Sequence, residues 1–326
     1  MRLAHPLAFS AYLSHIGASP EGYFRRHKLP SYCQDPGAIV PLLSAWELFA
    51  DAAQREDRFI GWHAGRYVGD IGLSGVLLKK LEQAPTLYQA LKLFNKLVAS
   101  EASHIKIGML ERRHHVLLYT DYPGAHGEPG FLVSQAYEIC ALLDLVRHFA
   151  GADWKPRELG IIDSDVPPPL MQRFPEASIR VNQPFGFIVI SRSCLHKKLC
   201  RPHRIDRDDG PLIDTAILDC AEMLALLLEP HLSEGYPNMD FAAELVNTSA
   251  RTLNRRLLEC NTNYQALVDE LRLRKAMAML QSTQMPINEV SWSVGFRQPP
   301  NFTRMFRRMT GINPRQFRRF EAQKLH

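Results

Sequence analysis

The chain has 326 residues, 46% of them hydrophobic and 22% charged, with a formal net charge of +5 at pH 7. This length favours two domains, and no apolar run reaches the roughly 18–20 residues that span a bilayer. The start of the chain lacks a long apolar segment followed by a small-residue cleavage site, so we expect a soluble cytoplasmic protein without a membrane partner.

Helical and strand patterns alternate in the first part of the chain. Apolar residues recur at helical spacing in 42–53 and in 86–99, where Thr86 is a suitable N-cap, and a longer helix is predicted over 131–151. Strand patterns occur at SHIKIGML and HHVLLYTDY, which predict a hairpin, and again at RELGIID, ASIRV and FGFIVIS. These patterns predict an α+β domain over residues 1–195.

Residues 196–211 are dense in charge and contain two prolines and a glycine, which is typical of a linker. Four potential metal ligands overlap this segment: Cys194, His196, Cys200 and His203. Their spacing matches no usual zinc site, so incidental side chains are the preferred interpretation and metal binding is the open alternative. The cysteines form no Cys-x-x-Cys pair, which is typical of free thiols in a reducing compartment.

The pattern stays helical over residues 212–326, which predicts an all-α second domain. Residues 247–326 contain 14 Lys and Arg against 5 Asp and Glu, a net charge of +9, whereas residues 1–246 contain 25 against 29, a net charge of −4. A basic end joined to a mildly acidic remainder indicates a polyanionic partner for that end.

A first helix-turn-helix is predicted at residues 238–260, where a short helix breaks at the letters NTS and a second helix begins. The second helix has one apolar face and one face that carries Arg251, Asn254 and Arg255. Arg can bridge two acceptors of guanine, and Asn can bridge the edge of adenine. These side chains therefore suit a helix that lies in a DNA major groove.

A longer helix is predicted at residues 262–282, with two apolar stripes that point in nearly opposite directions. The front stripe is Tyr264, Leu267, Val268 and Leu271, and the rear stripe is Leu273, Ala276, Met277 and Leu280. Such a helix joins two packed subdomains, and about 19 residues at about 1.5 Å each span roughly 28 Å. That length approaches the ~34 Å between successive major grooves on one face of B-DNA.

A second helix-turn-helix is predicted at residues 286–310. Its second helix has Pro299 or Pro300 in the first turn, where a missing N–H costs nothing. The predicted core stripe is Phe302, Met305, Phe306 and Met309, and the opposite arc carries Arg304, Arg307 and Arg308. Solvated arginine faces are common, but two such units joined by one helix within a +9 segment favour double-stranded DNA as the partner.

Residues from about 236 to 320 resemble the DNA-binding domain of the AraC/XylS family of bacterial transcription regulators. The stretches that carry the resemblance are AAELVNTSARTLNRRLLE, YQALVDELRLRKAMAMLQ, INEVSWSVGF and NFTRMFRRMTGINPRQFRR. The resemblance implies that one chain contacts two successive major grooves, and it admits RNA polymerase as a further partner of an activator.

The same resemblance implies which residues face DNA. In the first helix they are Arg251, Asn254 and Arg255, with Thr252 beside them as a further candidate; in the second they are Pro299, Pro300, Thr303 and Arg304, and Arg297, Gln298 or Asn301 are expected to compensate for the prolines. Arg307 and Arg308 are expected to contact phosphate. Because the two prolines lack side-chain donors where many family members carry polar groups, most direct base readout is expected from the first helix.

The amino-terminal region resembles the α+β effector domain of the ornithine/arginine-regulator-like branch of this family. The resemblance rests on DIGLSGVLLKKLEQAPTLYQALKLFNKLV, GADWKPRELGIIDSDVPPP and ASIRVNQPFGFIVISRSCL. It implies that this region senses an unidentified small molecule and forms a homodimer. Candidate effector-binding residues are Trp62, Arg66, Tyr67 and Tyr88, for which structural packing is the competing role. The alternative function is a constitutive DNA-binding protein whose first domain only dimerises.

An enzymatic function is not expected. The sequence contains no G-x-S-x-G elbow, no H-E-x-x-H helix, no Walker loop and no G-x-G-x-x-G after a strand. The histidines of the first domain are scattered, and no cofactor is predicted.

Overall fold

The structure, a computed structural model, describes residues 1, 4–30, 38–67, 75–102, 105–122, 125–200, 218–235 and 237–324, without the side chains of 4, 66, 67, 75 and 321–324. The chain divides into two compact units, Met1–Ile217 and Leu218–His326. Of the predicted linker, 196–211, the part from 201 onward lies outside the described residues.

The first unit contains helices and five strands. Its helices are α1 (Ala4–His15), α2 (Pro20–Arg26), α3 (Leu42–Arg55), α4 (Ile60–Tyr67), α5 (Gly75–Glu82), α6 (Leu87–Leu97), α7 (Phe131–Ala150), α8 (Pro168–Arg173) and α9 (Arg192–Leu195), with a 3₁₀ turn at Val98–Ser100. Its strands are β1 (Lys106–Glu111), β2 (His115–Asp121), β3 (Glu158–Gly160), β4 (Ser178–Arg180) and β5 (Gly186–Ser191).

The strands form one mixed sheet in the order β1-β2-β5-β3-β4. Only the pairing of β3 with β4 is parallel; the other neighbours are antiparallel. Alternate residues of β2, namely Val116, Leu118 and Thr120, are buried because one face of the sheet covers the core. The predicted α+β class is therefore confirmed, and the predicted hairpin is β1 and β2.

Helix α7 is mostly buried and packs closely on α4. A Cβ atom added to Gly61 would lie 2.2 Å from the carbonyl oxygen of Val133, so the two helices approach at a distance that only glycine permits there. Gly151 follows α7 with φ of 100°, a conformation that favours glycine. Thr86 caps α6 by accepting a hydrogen bond from the Gln89 amide, so its predicted role is confirmed.

The described residues of the second unit, 218–235 and 237–324, form helices and the turns between them and contain no strand. Its helices are α10 (Cys220–Leu228), α11 (Met239–Leu245), α12 (Ala250–Glu259), α13 (Tyr264–Ser282), α14 (Ile287–Ser293), α15 (Pro299–Thr310) and α16 (Pro314–Lys324), with a 3₁₀ segment at Glu229–Glu234. The two helix pairs α11–α12 and α14–α15 flank the longer α13, as the sequence predicts.

Helix α13 buries opposite faces at its two ends. All four residues of the front stripe are buried, and Ala276 and Leu280 of the rear stripe are buried in a cluster with residues of α14, α15 and α16. The centre of that cluster contains Phe302 and Phe306, both fully buried. The helix thus belongs to two small cores, which is why no single apolar face runs along its whole length.

Candidate nucleic-acid interface

Helix α12 is held by a tight turn and exposes a polar face. Asn247, in the turn after α11, has φ of 48°, a conformation that asparagine tolerates better than most residues. Ser249 then caps α12 by accepting a hydrogen bond from the Thr252 amide at 3.2 Å. Leu253 and Leu257 are buried below the helix. The side chains that point away from them are consequently free to meet a partner.

The predicted base-facing residues of α12 differ in their surroundings. Arg251, Asn254 and Arg255 are exposed, and the first two make no side-chain hydrogen bond or ion pair among the described residues. Arg255 donates from Nη1 to Glu259 Oε1 at 2.6 Å, one helical turn away. Thr252 is half-buried, and its hydroxyl accepts from Ser249 at 2.9 Å. Thr252 is therefore partly committed to the helix cap.

Helix α15 begins with Pro299 and Pro300 in its first two positions, as predicted. Phe302, Met305 and Phe306 form its buried stripe. Met309 was expected in the same stripe, but 38% of it is exposed, so that prediction is wrong. The helix ends two residues later at the left-handed cap Gly311. Phe306 is the last buried residue of this helix, so the core does not extend beneath its final turn.

The polar residues of α15 are exposed on the side opposite that stripe. Arg297, Gln298, Asn301, Arg304, Arg307 and Arg308 are exposed, whereas Pro299 and Thr303 are half-buried. Arg304 donates to Asn301 Oδ1 at 3.3 Å, which couples two predicted base-facing side chains. Arg307 and Arg297 have no ion pair among the residues that the structure describes.

Arg308 makes a contact that the sequence patterns do not reveal. Its guanidinium forms an ion pair with Asp269 of α13, a residue whose side chain is only 9% exposed. Gln265 also donates to the same carboxylate, at 3.0 Å. Arg308 thus fastens α15 to α13, in addition to the predicted contact with phosphate.

A second buried charge on α13 fixes the turn of the α14–α15 pair. Arg272, only 4% exposed, donates to the carbonyl of Gly295 at 3.1 Å and lies over the Phe296 ring at 4.3 Å. Gly295 has φ of 81°, and an added Cβ would lie 2.3 Å from the Leu232 carbonyl oxygen. The only signal in the sequence is that an acid and a base, Asp269 and Arg272, lie three positions apart between apolar residues.

The four candidate effector residues are not gathered at one site. Trp62 is 6% exposed and lines an open surface hollow beside Asp163 and Asp165. Tyr88 lies elsewhere, where its hydroxyl donates to Glu111 at 3.2 Å. The side chains of Arg66 and Tyr67 lie outside the described part of the structure.

The four potential metal ligands around the predicted linker do not form a described site. Cys194 is buried, and burial raises the pKa of its thiol; His196 and Cys200 are exposed, and His203 lies outside the described residues. Within the described ranges, no three His, Cys, Asp or Glu side chains are arranged to hold a metal ion. No helix in those ranges combines the length and the apolar character that crossing a bilayer requires.

Two protein families match separate parts of the chain. The family described as "Helix-turn-helix domain" matches residues 242–319, which include both helix pairs. The family described as "Arabinose-binding domain of AraC transcription regulator, N-term" matches residues 17–199, more than half of the chain.

The chain is also similar to curated proteins and to solved structures. The ornithine utilization regulator of Pseudomonas aeruginosa is 39% identical over 83 residues, which are 26% of this chain and 24% of that protein, so only about a quarter of the relative is covered. An uncharacterized HTH-type transcriptional regulator of Mycobacterium tuberculosis is 22% identical over 313 residues, 89% of this chain and 88% of that protein. The transcriptional regulator CdpR from Pseudomonas aeruginosa aligns with 91% of this chain and 96% of its own, at a TM-score of 0.39 and 18% identity.

Proposed function

The chain belongs to the AraC family of transcription regulators, and we propose that it binds specific DNA sequences under the control of a small molecule bound by its amino-terminal unit. Helices α12 and α15 are the proposed recognition helices. The observation that carries the proposal is the pair of exposed polar faces on the second helix of each helix-turn-helix, joined by α13. At about 1.5 Å per residue, the 19 residues of α13 extend roughly 28 Å.

The two recognition helices have different proposed tasks. Helix α12 presents Arg251 and Asn254, whose long donors match guanine and adenine edges in the major groove. Helix α15 begins with two prolines and carries several arginines, so it contributes phosphate contacts and shape more than hydrogen bonds to bases. Most sequence discrimination therefore comes from α12.

Selection of DNA ligands from a random pool by the full chain tests the DNA-binding part of the proposal. A half-site that depends on α12 should be enriched more sharply than the adjacent half-site that contacts α15. Enrichment of no sequence over the starting pool would contradict specific recognition.

Control by a small molecule is supported by the match of residues 17–199 to a family described as ligand-binding. The selected DNA is titrated with the full chain in the presence and absence of fractionated small-molecule extracts. A fraction that changes occupancy severalfold is expected, because an effector acts only by favouring one state over another. Occupancy that no fraction alters would favour the alternative, a constitutive DNA-binding protein whose first unit only dimerises.

The proposal includes a homodimer in the cytoplasm and contact of the promoter-bound dimer with RNA polymerase. The structure contains a single chain, so family membership is what supports this part of the proposal. Sedimentation equilibrium of the full chain should give twice the 37.1 kDa chain mass. A monomer at all concentrations up to tens of micromolar would remove dimerisation from the proposal.

A further inference from the structure

An open hollow of about 680 Å³ lies on the surface of the second unit, between the start of α14 and the first two turns of α16. Three arginines line it, namely Arg315, Arg318 and Arg319, together with neutral residues such as Asn288 and Asn313. None of its described lining residues is Asp or Glu. This arginine hollow therefore presents positive charge without a neutralising acid in its described walls.

Two of the three arginines are available to a partner. Arg315 and Arg319 lie on the same side of α16 because four positions complete about one turn. Both are exposed, and neither makes an ion pair or a side-chain hydrogen bond among the residues that the structure describes. Phe317, on the opposite side of the helix, is 8% exposed and packs edge-on against Phe306 of α15, with 5.6 Å between the ring centroids. One side of α16 thus holds the helix on the core and the other faces the hollow.

The third arginine connects the two walls of the arginine hollow. Nη2 of Arg318 donates to the carbonyl of Met285, two residues before α14, at 2.6 Å. Nε of Arg318 is buried and makes no hydrogen bond within the described part of the protein. A buried donor of this kind is rare in native proteins. Arg318 therefore fixes the start of α16 beside the start of α14, and its guanidinium adds to the positive charge of the hollow.

This charge arrangement is unfavourable for the protein alone. Like charges four positions apart on a helix repel each other, and the first turn of a helix favours acidic residues. The first turn of α16 contains no acid and includes Arg315. Glu289, the acid in the first turn of α14, is exposed and forms no ion pair within the described ranges. An anion bound in the arginine hollow would offset both unfavourable terms.

The position of the arginine hollow indicates which anion it meets. Helix α14 is the first helix of the second helix-turn-helix, and in such a pair the first helix crosses the DNA backbone while the second lies in the major groove. The hollow includes the first residues of α14. Val290 of α14, Phe306 of α15 and Phe317 of α16 share one core, so the hollow has a fixed position relative to α15. The anions beside a bound α15 are the phosphate groups of the DNA backbone.

We propose that the arginine hollow receives a phosphate group of the DNA backbone that borders the groove entered by α15, with Arg315 and Arg319 as its paired contacts. Arg318 positions these two by joining α16 to the residue segment before α14. The assignment rests on the proposed function, because it adds a contact site to the proposed DNA complex. Phosphate contacts fix the register of a protein on a duplex. The hollow supplies such a contact next to a helix whose first two residues, both prolines, donate no hydrogen bond.

The first experiment measures binding of the full chain to the selected DNA between about 0.05 and 0.2 M salt. The double variant Arg315→Ala/Arg319→Ala should reduce the slope of log K against log salt concentration by about one, and should lower the affinity on the order of tenfold at about 0.1 M salt. Arg315→Lys/Arg319→Lys keeps both charges and should keep the slope. Arg58→Ala, which removes an exposed arginine of the first unit, is the control and should bind as the parent does. A parental slope in the double alanine variant would overturn the proposal.

Single methylphosphonates, in which a methyl group replaces one charged oxygen of a phosphate, locate the contact. They are placed one at a time along both strands of the selected DNA. At one position bordering the half-site of α15, the substitution should weaken binding of the parent severalfold and have no further effect on the double alanine variant. If each position weakens the parent and the variant equally, the arginine hollow contacts no phosphate and the proposal is refuted.

Thermal unfolding separates a lost contact from a damaged fold. The double alanine variant should unfold at the parental Tm or slightly above it, because the repulsion between two exposed arginines is removed. A Tm lowered by several degrees would show that the arginines support the fold, and would overturn their assignment to DNA. Inorganic phosphate that raises the Tm of the parent but not of the variant, with equal DNA affinities of the two proteins, would assign the hollow to a free anion instead.

The outcomes distinguish this proposal from the proposed function. If the parent enriches no sequence from the random pool, specific recognition fails, and the salt slopes of parent and variant on random DNA still test the arginine hollow. If the parent binds the selected DNA and the double alanine variant binds it with equal affinity and slope, the proposed function stands and only the assignment of the hollow fails.

Discussion

The stability of the first unit should decrease as pH rises from about 4.5 to about 8, because of Glu138. In the unfolded chain this carboxyl releases its proton near 4.5, whereas in the folded unit it keeps the proton until about 8. Between these values the unfolded state binds fewer protons, so the free energy of unfolding falls with pH. At about 1.36 kcal/mol per pKa unit, the upper limit of the loss is about 5 kcal/mol.

The expected loss of unfolding free energy is smaller than this upper limit. Glu138 as a residue is only half-buried, although its Oε2 atom is fully covered. The exposed part of the residue allows some solvation of the charged form, so we expect a loss of about 2–4 kcal/mol. In Glu138→Gln the group cannot ionise, and this loss should disappear.

Urea unfolding of the full chain and of Glu138→Gln at pH 5, 6, 7, 8 and 9 measures the effect, with the amino-terminal transition analysed separately from that of the second unit. Every other titratable group is present in both proteins, so the difference between the two curves isolates Glu138. The variant should gain stability relative to the parent with each pH unit up to about 8. A difference that is constant between pH 5 and 9 would refute the raised pKa and the desolvation on which it rests.

The remaining predictions concern the second unit. Arg255→Ala should weaken binding to the selected DNA by about 1–3 kcal/mol and leave binding to random DNA unchanged; equal losses in filter binding on both DNAs would make Arg255 a phosphate contact. Arg308→Ala should weaken binding to all DNA and reduce the slope of log K against log salt concentration by about one. The control is Asp269→Asn, which breaks the same ion pair but keeps the arginine and should leave that slope unchanged. An unaltered slope in Arg308→Ala would exclude a phosphate contact and leave Arg308 only its ion pair with α13. Gly295→Ala should destabilise the second unit by at least about 1–3 kcal/mol, because its φ of 81° strains any other residue; a thermal melt equal to that of the parent would contradict the proposed close packing on Leu232.

The helices whose apolar residues recur at a regular helical spacing could be predicted from the sequence. The stripes of α12, α13 and α15 follow the 3.6-residue period, and the prolines of α15 lie where a first turn accepts them. Met309 departs from its stripe because periodicity cannot show where the core beneath a helix ends.

The buried group around Glu138 could not be predicted in the same way. His5, Thr120 and Glu138 come from three separate elements and Glu101 from a turn, and only the folded sheet and helices bring them together. Of the candidate effector residues, Trp62 lines a surface hollow and the hydroxyl of Tyr88 contacts Glu111, so these two lie at separate places. One local signal was present: Glu138 interrupts the long apolar pattern of α7, where a charged residue needs a partner.

The buried charges of α13 bear on how two recognition helices can read one duplex. A helix that merely switches its apolar face would leave α15 held by dispersion contacts, which tolerate small rotations. Asp269 and Arg272 add directional contacts to Arg308 and to the Gly295 carbonyl, at the two ends of the segment that contains α15. Because hydrogen bonds weaken steeply with misalignment, these contacts restrict the rotation of α15 relative to α13. The orientation of the second proposed recognition helix is therefore set within the protein before DNA binds, which would lower the ordering cost of engaging two grooves in the proposed complex.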